Sequence, residues 1–376
     1  MLLPMPLTPE ELQRYSRHLL IPDIGRVGQE KLKAASVLLV GIGALGSPAA
    51  MYLAAAGVGR LGLVDDDKVE VSNLQRQLLH GESTIGQSKL QSAFARLKEI
   101  NPHVEVELHE VRFTPDNAVE IASNYDLIVD GTDNFPARFL TNDTGFFLKK
   151  PLVHGSIHRF EGQCTVFAPH LGGPCYRCLL PNMPEPGSVP SCAEAGVLGA
   201  LPGIIGSMQA LEAIKLIIGI GEPPYGKLIV YDGLTTSFRK LTLHADPQCR
   251  LCGANPDIQS VDNSETRASL SCTTSESMNS ITAQELKDKL AAGLDGILID
   301  VRQPEEYEVA NINGAQLIPL GDLQDKCAQL PMDTTIYVHC KAGGRSAKAC
   351  NILSQCGLPN VVNVEGGMDA WQELGD

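Results

Sequence analysis

Positive charge is scarce in this sequence: Lys and Arg number 30 against 44 Asp and Glu, for a net charge of −14. A protein that grips a phosphate backbone needs a basic face, so nucleic acid is not an expected partner. No secretory leader is expected either, because MLLPMPLTPEELQRY has no basic segment followed by an unbroken apolar core. Nor is there a long uninterrupted hydrophobic run. The longest, residues 198–220, carries Glu212 and Lys215 and reads as an amphipathic helix rather than a membrane span. Together these absences predict a cytoplasmic protein with no membrane partner. An internal repeat is absent too, so the 376 residues, 43% of them hydrophobic, read as unlike domains rather than copies of one.

Cysteine, by contrast, is plentiful. Eleven of them in a chain without a leader point away from a disulfide framework and towards metal or thiol chemistry. Cys175 and Cys178 form one C-x-x-C pair and Cys249 and Cys252 another, while Cys192 and Cys340 stand in distinctive surroundings. Cys164, Cys272, Cys327, Cys350 and Cys356 read as packing or surface residues. Two C-x-x-C pairs match a four-thiolate zinc site, in which each pair bites the metal from one turn and the closed coordination makes the site structural. Reduced cysteines in two loops are the plainer alternative.

The chain is organised around residues 36–76. A short apolar run from Val37 to Val40 turns on Gly41, Gly43 and Gly46, continues as an Ala-rich helical pattern, and returns as a second apolar run ending at Asp65. Strand, glycine turn, helix and strand predict a Rossmann-like α/β nucleotide unit. Its glycines let phosphate approach the backbone, the helix N-terminus faces an anion, and Asp65 is placed for ribose hydroxyls. The fingerprint alone fits a dinucleotide or a mononucleotide. The residues beyond it favour ATP: Asn73, Arg76, Gln77, Lys89 and then Asp133 in DGTDNFPAR. A nicotinamide enzyme has no need of cations reaching past the first phosphates, nor of a carboxylate that holds a metal there, whereas cleavage of ATP needs both.

Further along, Pro9 to Leu20 reads as a helix followed by a turn at Pro22 to Gly28, residues 83–100 as a helix, and Asp126 to Asp130 as a buried strand. Residues 172–199, rich in Pro and Gly, read as a functional loop too polar to be core. Residues 255–280, rich in Ser, Thr and Asn, read as a flexible linker between a first domain (1–254) and a smaller α/β domain (281–376). In the second domain Cys340 ends a predicted strand, and HCKAGGRSA leads into a helix at Arg345. Backbone N–H groups there converge on whatever the sulfur carries. Cysteine phosphatases close a similar loop, but with one more residue between Cys and Arg, and the smaller ring suits sulfur better than phosphate.

RYSRHLLIP, GIGALGSPAAMYLAAAGVG, LVDDDKVEVSNLQRQ, DGTDNFPAR and the two C-x-x-C pairs together resemble the MoeB/ThiF family, relatives of ubiquitin-activating enzymes, over residues 8–255. LIDVRQPEEYEVANINGAQLIP, HCKAGGRSA and VEGGMDAW resemble a rhodanese domain over residues 280–373. The first resemblance implies that ATP and the C-terminal glycine of a small ubiquitin-like sulfur carrier, ending in Gly-Gly, form an acyl-adenylate. It puts Gly41 and Gly43 against the phosphates, Asp65 and Asn73 at the nucleotide, Arg76 and Lys89 on the phosphates, and Mg2+ on Asp133. It matches Arg14 to an arginine that reaches into a partner's site in a homodimer, where spacing alone would make Arg14 part of a solvated helix face. Cys192 occupies the position that some members use for a covalent link with the carrier; an incidental loop thiol is the alternative. The second resemblance makes Cys340 a persulfide carrier loaded by a donor such as a cysteine desulfurase, and leaves Asp300 and Arg302 as a structural ion pair. The expected pathway is molybdopterin biosynthesis, with thiamine, tRNA-thiolation or cysteine-synthesis carriers as alternatives. A nicotinamide-linked oxidoreductase would leave Arg76, Lys89, Asp133 and the second domain unexplained, and a non-catalytic scaffold would bind nucleotide without turnover.

Overall fold

Buried strands need apolar residues on both faces, and Ser36–Val40 (β1) shows why the first half folds as it does. Val37 and Leu39 pack into one core, Leu38 and Val40 into the other, all at most 2% exposed. Burying one such side chain contributes about 2 kcal/mol. The computed structural model describes residues 5–184, 196–262, 279–341 and 343–375. The chain divides into two compact units, Met1–Ser271 and Cys272–Asp376.

The first unit is built on an eight-stranded sheet of Arg60–Val64 (β2), Glu105–His109 (β3), Leu127–Asp130 (β4), Leu152–His158 (β5), Glu161–Phe167 (β6), Lys227–Asp232 (β7) and Ser237–Thr242 (β8) beside β1. The order is β3-β2-β1-β4-β5-β6-β7-β8; the pairings from β3 through β5 are parallel and those from β5 to β8 antiparallel. Chain order reverses at β1, between β2 and β4, which is where open parallel sheets leave a crevice at the strands' carboxyl ends. Helices Gly46–Ala56, Lys89–Ile100 and Ala200–Ile218 supply one core, Ala118–Ser123 and Phe135–Phe147 the other. The Ala200–Ile218 helix is long and apolar enough to cross a membrane by composition, but half of it is buried and it lies against β5, β6 and the Gly46–Ala56 helix.

Three expectations are corrected here. The segment read as a turn at Pro22 to Gly28 runs into a helix, Gly25–Ala34, in which Gly28 sits against Ile218 and Ile24. The first unit also continues past 254: Ile258 and Val261 are 4% and 5% exposed and held in its cores, so residues 255–261 belong to that unit. And the segment read as too polar for core enters it at its beginning, over residues 175–177. Cys175, Tyr176 and Arg177 are all buried around the short helix Tyr176–Leu179.

The second unit is a five-stranded parallel sheet of Ser280–Ile281 (β9), Ile297–Asp300 (β10), Gln316–Leu317 (β11), Ile336–His339 (β12) and Val361–Val364 (β13), ordered β11-β10-β12-β13-β9. Ile299, Ile336 and Val338 face one core; Leu298, Tyr337 and Val364 face the other.

Candidate functional site

A cleft of about 290 Å3 opens at the carboxyl ends of β1, β2 and β4, lined by Gly41, Gly43, Asp65, Arg76, Lys89 and Asp133 among others. Gly41, at φ +86, turns the chain off β1, and a Cβ on Gly46 would sit 2.1 Å from the Gly41 carbonyl oxygen, so only glycine lets the helix start this close to the strand. Ile42 between them is clamped on both sides. Its N–H donates to Asp65 Oδ2 at 2.8 Å, and its carbonyl accepts from His80 Nε2 at 3.1 Å. Asp65 also accepts from the Asp67 N–H at 3.0 Å. Lys89 is 7% exposed at its side chain and lies 2.6 Å from Asp67 and 3.9 Å from Asp65. Burial raises the Asp65 carboxyl above its ordinary pKa against the pull of Lys89, and burial lowers His80, so the ring that holds the turn is neutral.

The opposite wall follows β4. Asp130 is fully buried; its carboxylate accepts from His154 Nδ1 at 2.7 Å and from the Thr132 N–H and hydroxyl, which fixes the exit turn towards Asp133. Asp133 is exposed at the cleft, and Asn134 caps the Phe135–Phe147 helix by accepting from the Ala137 N–H at 3.0 Å. Arg138, one turn into that helix, lines the same cleft with a buried Nε that has no partner in the structure. Sequence reasoning passed over Arg138, although an N-cap Asn followed by Arg at helical spacing was legible in DGTDNFPAR.

Not every expected residue is at the cleft. Asn73 does not line it: its side chain accepts from the Glu70 N–H and its carbonyl from the Arg76 and Gln77 N–H groups, so it braces the turn that presents Arg76. Arg14 is also outside, donating to the Ile100 carbonyl at 3.0 Å. Cys192 lies outside the described residues.

The four paired cysteines do come together. Cys175 Sγ is 3.8 Å from Cys178 and 3.5 Å from Cys249, and Cys178 is 3.3 Å from Cys252. Tetrahedral thiolates about 2.3 Å from one zinc ion stand about 3.8 Å apart, so the set fits such an ion. Between the first two lies Arg177, paired through Nε and Nη2 with Asp143 at 2.9 and 2.8 Å, with both side chains wholly buried.

In the second unit Cys340, 1% exposed, follows β12. Its sulfur accepts from the Gly343 N–H at 3.1 Å and from the Ser346 hydroxyl at 3.4 Å. Arg345 pairs with Glu306 at 2.6 and 2.7 Å. Asp300 and Arg302 form a buried ion pair at 2.6 Å, which Arg302 extends to the Ala310 carbonyl.

The ThiF family profile matches residues 15–251, and that of the rhodanese-like domain matches residues 282–374. This chain belongs to the ThiF family. A probable adenylyltransferase/sulfurtransferase of Mycobacterium tuberculosis, MoeZ, is 47% identical over 373 residues, 97% of this chain and 94% of its own. The adenylyltransferase and sulfurtransferase MOCS3-2 of Zea mays is 42% identical, covering 97% and 80%. The sulfur carrier protein adenylyltransferase of Thermus thermophilus is 54% identical over 253 residues, 66% of this chain and 93% of its own. Among solved structures, E. coli MccB matches with a TM-score of 0.57 at 22% identity, covering 64% of this chain and 74% of that one, which shows the fold of the ThiF part.

Proposed function

We propose that this ThiF-family chain is an adenylyltransferase and sulfurtransferase that converts the C-terminal carboxylate of a ubiquitin-like sulfur carrier into a thiocarboxylate. The observation that carries this reading is the presence on one chain of a cleft of about 290 Å3 at the reversal of a parallel sheet and a buried cysteine held by N–H and O–H donors. The carrier's carboxylate attacks the α-phosphate of ATP, giving acyl-adenylate and pyrophosphate. Both reactants are anions, so the protein's task is to place cations and donors around them, and no general base is needed. Gly41 and Gly43 offer the backbone to the phosphates and Asp65 meets the ribose. Lys89 and Arg76 neutralise charge, and Arg138 adds a cation to the wall beside Asp133. Asp133 is the residue that would hold Mg2+, which screens the triphosphate when bound.

The second unit then supplies sulfur. A persulfide on Cys340 attacks the acyl carbon, AMP leaves, and an acyl disulfide forms. A second thiol, for which Cys192 is the candidate, attacks the Cys340 sulfur, releases the thiocarboxylate and leaves a protein disulfide for an external dithiol to reduce. The four cysteines around Arg177 would hold Zn2+ as a structural ion. A cysteine desulfurase loads Cys340, a homodimer brings Arg14 to the partner's cleft, and the work is done in the cytoplasm. Molybdopterin biosynthesis is the pathway this reading favours.

Mass spectrometry of a panel of Gly-Gly-ended carriers, each incubated with the protein, Mg-ATP and a sulfur donor, tests the proposal. Sulfur replacing oxygen at one carrier's terminus, lost in Cys340→Ala, is the expected result. AMP without thiocarboxylate would sink the sulfur-transfer half, and no ATP consumption with any carrier would sink both.

A further inference from the structure

We propose that Glu306 selects the class of sulfur donor that loads Cys340, favouring a neutral protein persulfide over an anionic donor such as thiosulfate. The inference rests on the reading of Cys340 as the thiol that carries sulfur. Its own basis is the charge at the mouth of the Cys340 loop. Arg345 closes that loop and is the cation nearest to being enclosed there, with a side chain 17% exposed. Both terminal nitrogens of its guanidinium are taken by Glu306, at 2.6 and 2.7 Å, in the bidentate geometry that makes such pairs strong. The Arg345 hydrogen bonds in turn hold the Glu306 carboxyl below its ordinary pKa, so the pair is ionised. Lys341, the other cation of the loop, is exposed and screened by water. Asp369 sits in the first turn of a helix packed on the same loop, its N–H donating to the Lys341 carbonyl. Of the two loop cations, Arg345 is thus already engaged by a carboxylate.

The two donors make different demands on that mouth. With thiosulfate, the Cys340 thiolate takes the outer sulfur, the S–S bond breaks, and sulfite leaves as a dianion: thiolate plus thiosulfate gives Cys340 persulfide anion plus sulfite. With a protein persulfide, the thiolate takes the terminal sulfur and the donor cysteine leaves as a single thiolate, its proton staying on the new persulfide. Only the first reaction brings in and expels two negative charges on a small ion, and it needs a guanidinium free to receive them. With Glu306 in place, thiosulfate must displace a carboxylate that already satisfies the fork.

The test uses the full chain and its Glu306→Gln variant, which keeps the side-chain size and removes the charge. Two assays run side by side: thiocyanate formation from thiosulfate and cyanide, and sulfur added to Cys340 by a cysteine desulfurase supplied with cysteine, read by mass. The expected result is a gain of about tenfold in kcat/KM for thiosulfate, carried by KM and reduced by salt, with desulfurase loading changed by less than about threefold. Glu306→Asp, which keeps the charge, should retain the wild-type donor ratio and serves as the second variant should Glu306→Gln fold poorly. Equal changes with both donors, a loss with thiosulfate, or a wild-type protein that already loads from thiosulfate as readily as from the desulfurase would each overturn the proposal. Cys340→Ala separates the two readings: loading that survives it refutes the role of Cys340, whatever Glu306 does.

Discussion

Arg177→Met is the perturbation whose size the structure fixes best. Arg177 and Asp143 are both 0% exposed at their side chains, are joined by two hydrogen bonds, and the guanidinium lies 4.6 Å from the centre of the Phe139 ring. Removing one partner strands a buried carboxylate, a loss of about 3–5 kcal/mol from a total that is seldom more than about 15. The damage should not stay local. Asp143 is on the helix that starts at Asn134 beside the cleft, Asn142 accepts from the Tyr176 N–H at 2.8 Å, and Arg177 stands between two of the clustered cysteines. The expected outcome is a first unit that unfolds about 10 °C lower and binds added zinc more weakly. The assay has an internal control, because the sequence holds one tryptophan, Trp371, and it belongs to the second unit. Far-UV circular dichroism follows both units while tryptophan fluorescence follows the second, which should be unmoved. A Met variant that unfolds within about 2 °C of wild type with full metal content would refute the claim that this pair holds the cysteine cluster to the helix. The double variant Asp143→Leu with Arg177→Met should recover part of the loss, since an apolar pair leaves no stranded charge.

Three further outcomes rest on the same geometry. Stripping metal with a chelator, or replacing Cys249 by Ser, should lower the stability of the first unit and leave cyanide-dependent sulfur transfer by the second unit intact, measured by melting and thiocyanate release. His80 should make the first unit acid-sensitive: its folded pKa is depressed by burial below 6.5, so the unfolded chain takes up the proton first as pH falls. Stability is then present above that value and lost as pH drops through the folded pKa, and Gln in its place should flatten the profile between pH 7 and 5 in urea titrations. For the shared site, Arg14→Ala and Asp133→Ala should each abolish adenylation, while mixing them restores about a quarter of wild-type activity through mixed dimers; no recovery on pyrophosphate release would defeat the sharing.

What could be read from the sequence depended on how far each residue's partners lay along the chain. β1 and β10 announced themselves because strands buried on both faces are largely apolar runs, and the glycine turn because its constraints fall within a few residues. The Phe135–Phe147 helix went unread: Thr141, Asn142, Asp143 and Thr144 are all buried, so its inward face does not look apolar. Those polar groups make sense only once Tyr176 and Arg177, from another loop, are beside them. Asn73 is the opposite case. Its bonds are local, to Glu70, Arg76 and Gln77, and a polar residue in a motif looks the same whether it touches a ligand or braces the turn that does.

The same logic explains why the cleft wall after β4 was only half visible. A carboxylate at the end of a buried strand is costly, and burial alone would raise the pKa of Asp130; the hydrogen bond from His154 reverses this and holds it below the ordinary carboxylate value. Gln209, from the Ala200–Ile218 helix, donates to the Asp130 backbone carbonyl at 2.7 Å. The turn that carries Thr132 and Asp133 is therefore fixed by His154 from β5 and Gln209 from the Ala200–Ile218 helix, neither of them a lining residue of the cleft. Asp133 is exposed and short, so its placement depends on that buried support rather than on its own contacts. His154→Phe should accordingly lose adenylation rate as well as stability, whereas His154→Gln, which still donates to Asp130, should lose mainly stability. Equal rates per folded molecule in the two variants would show that the turn holds Asp133 without the Asp130 bond.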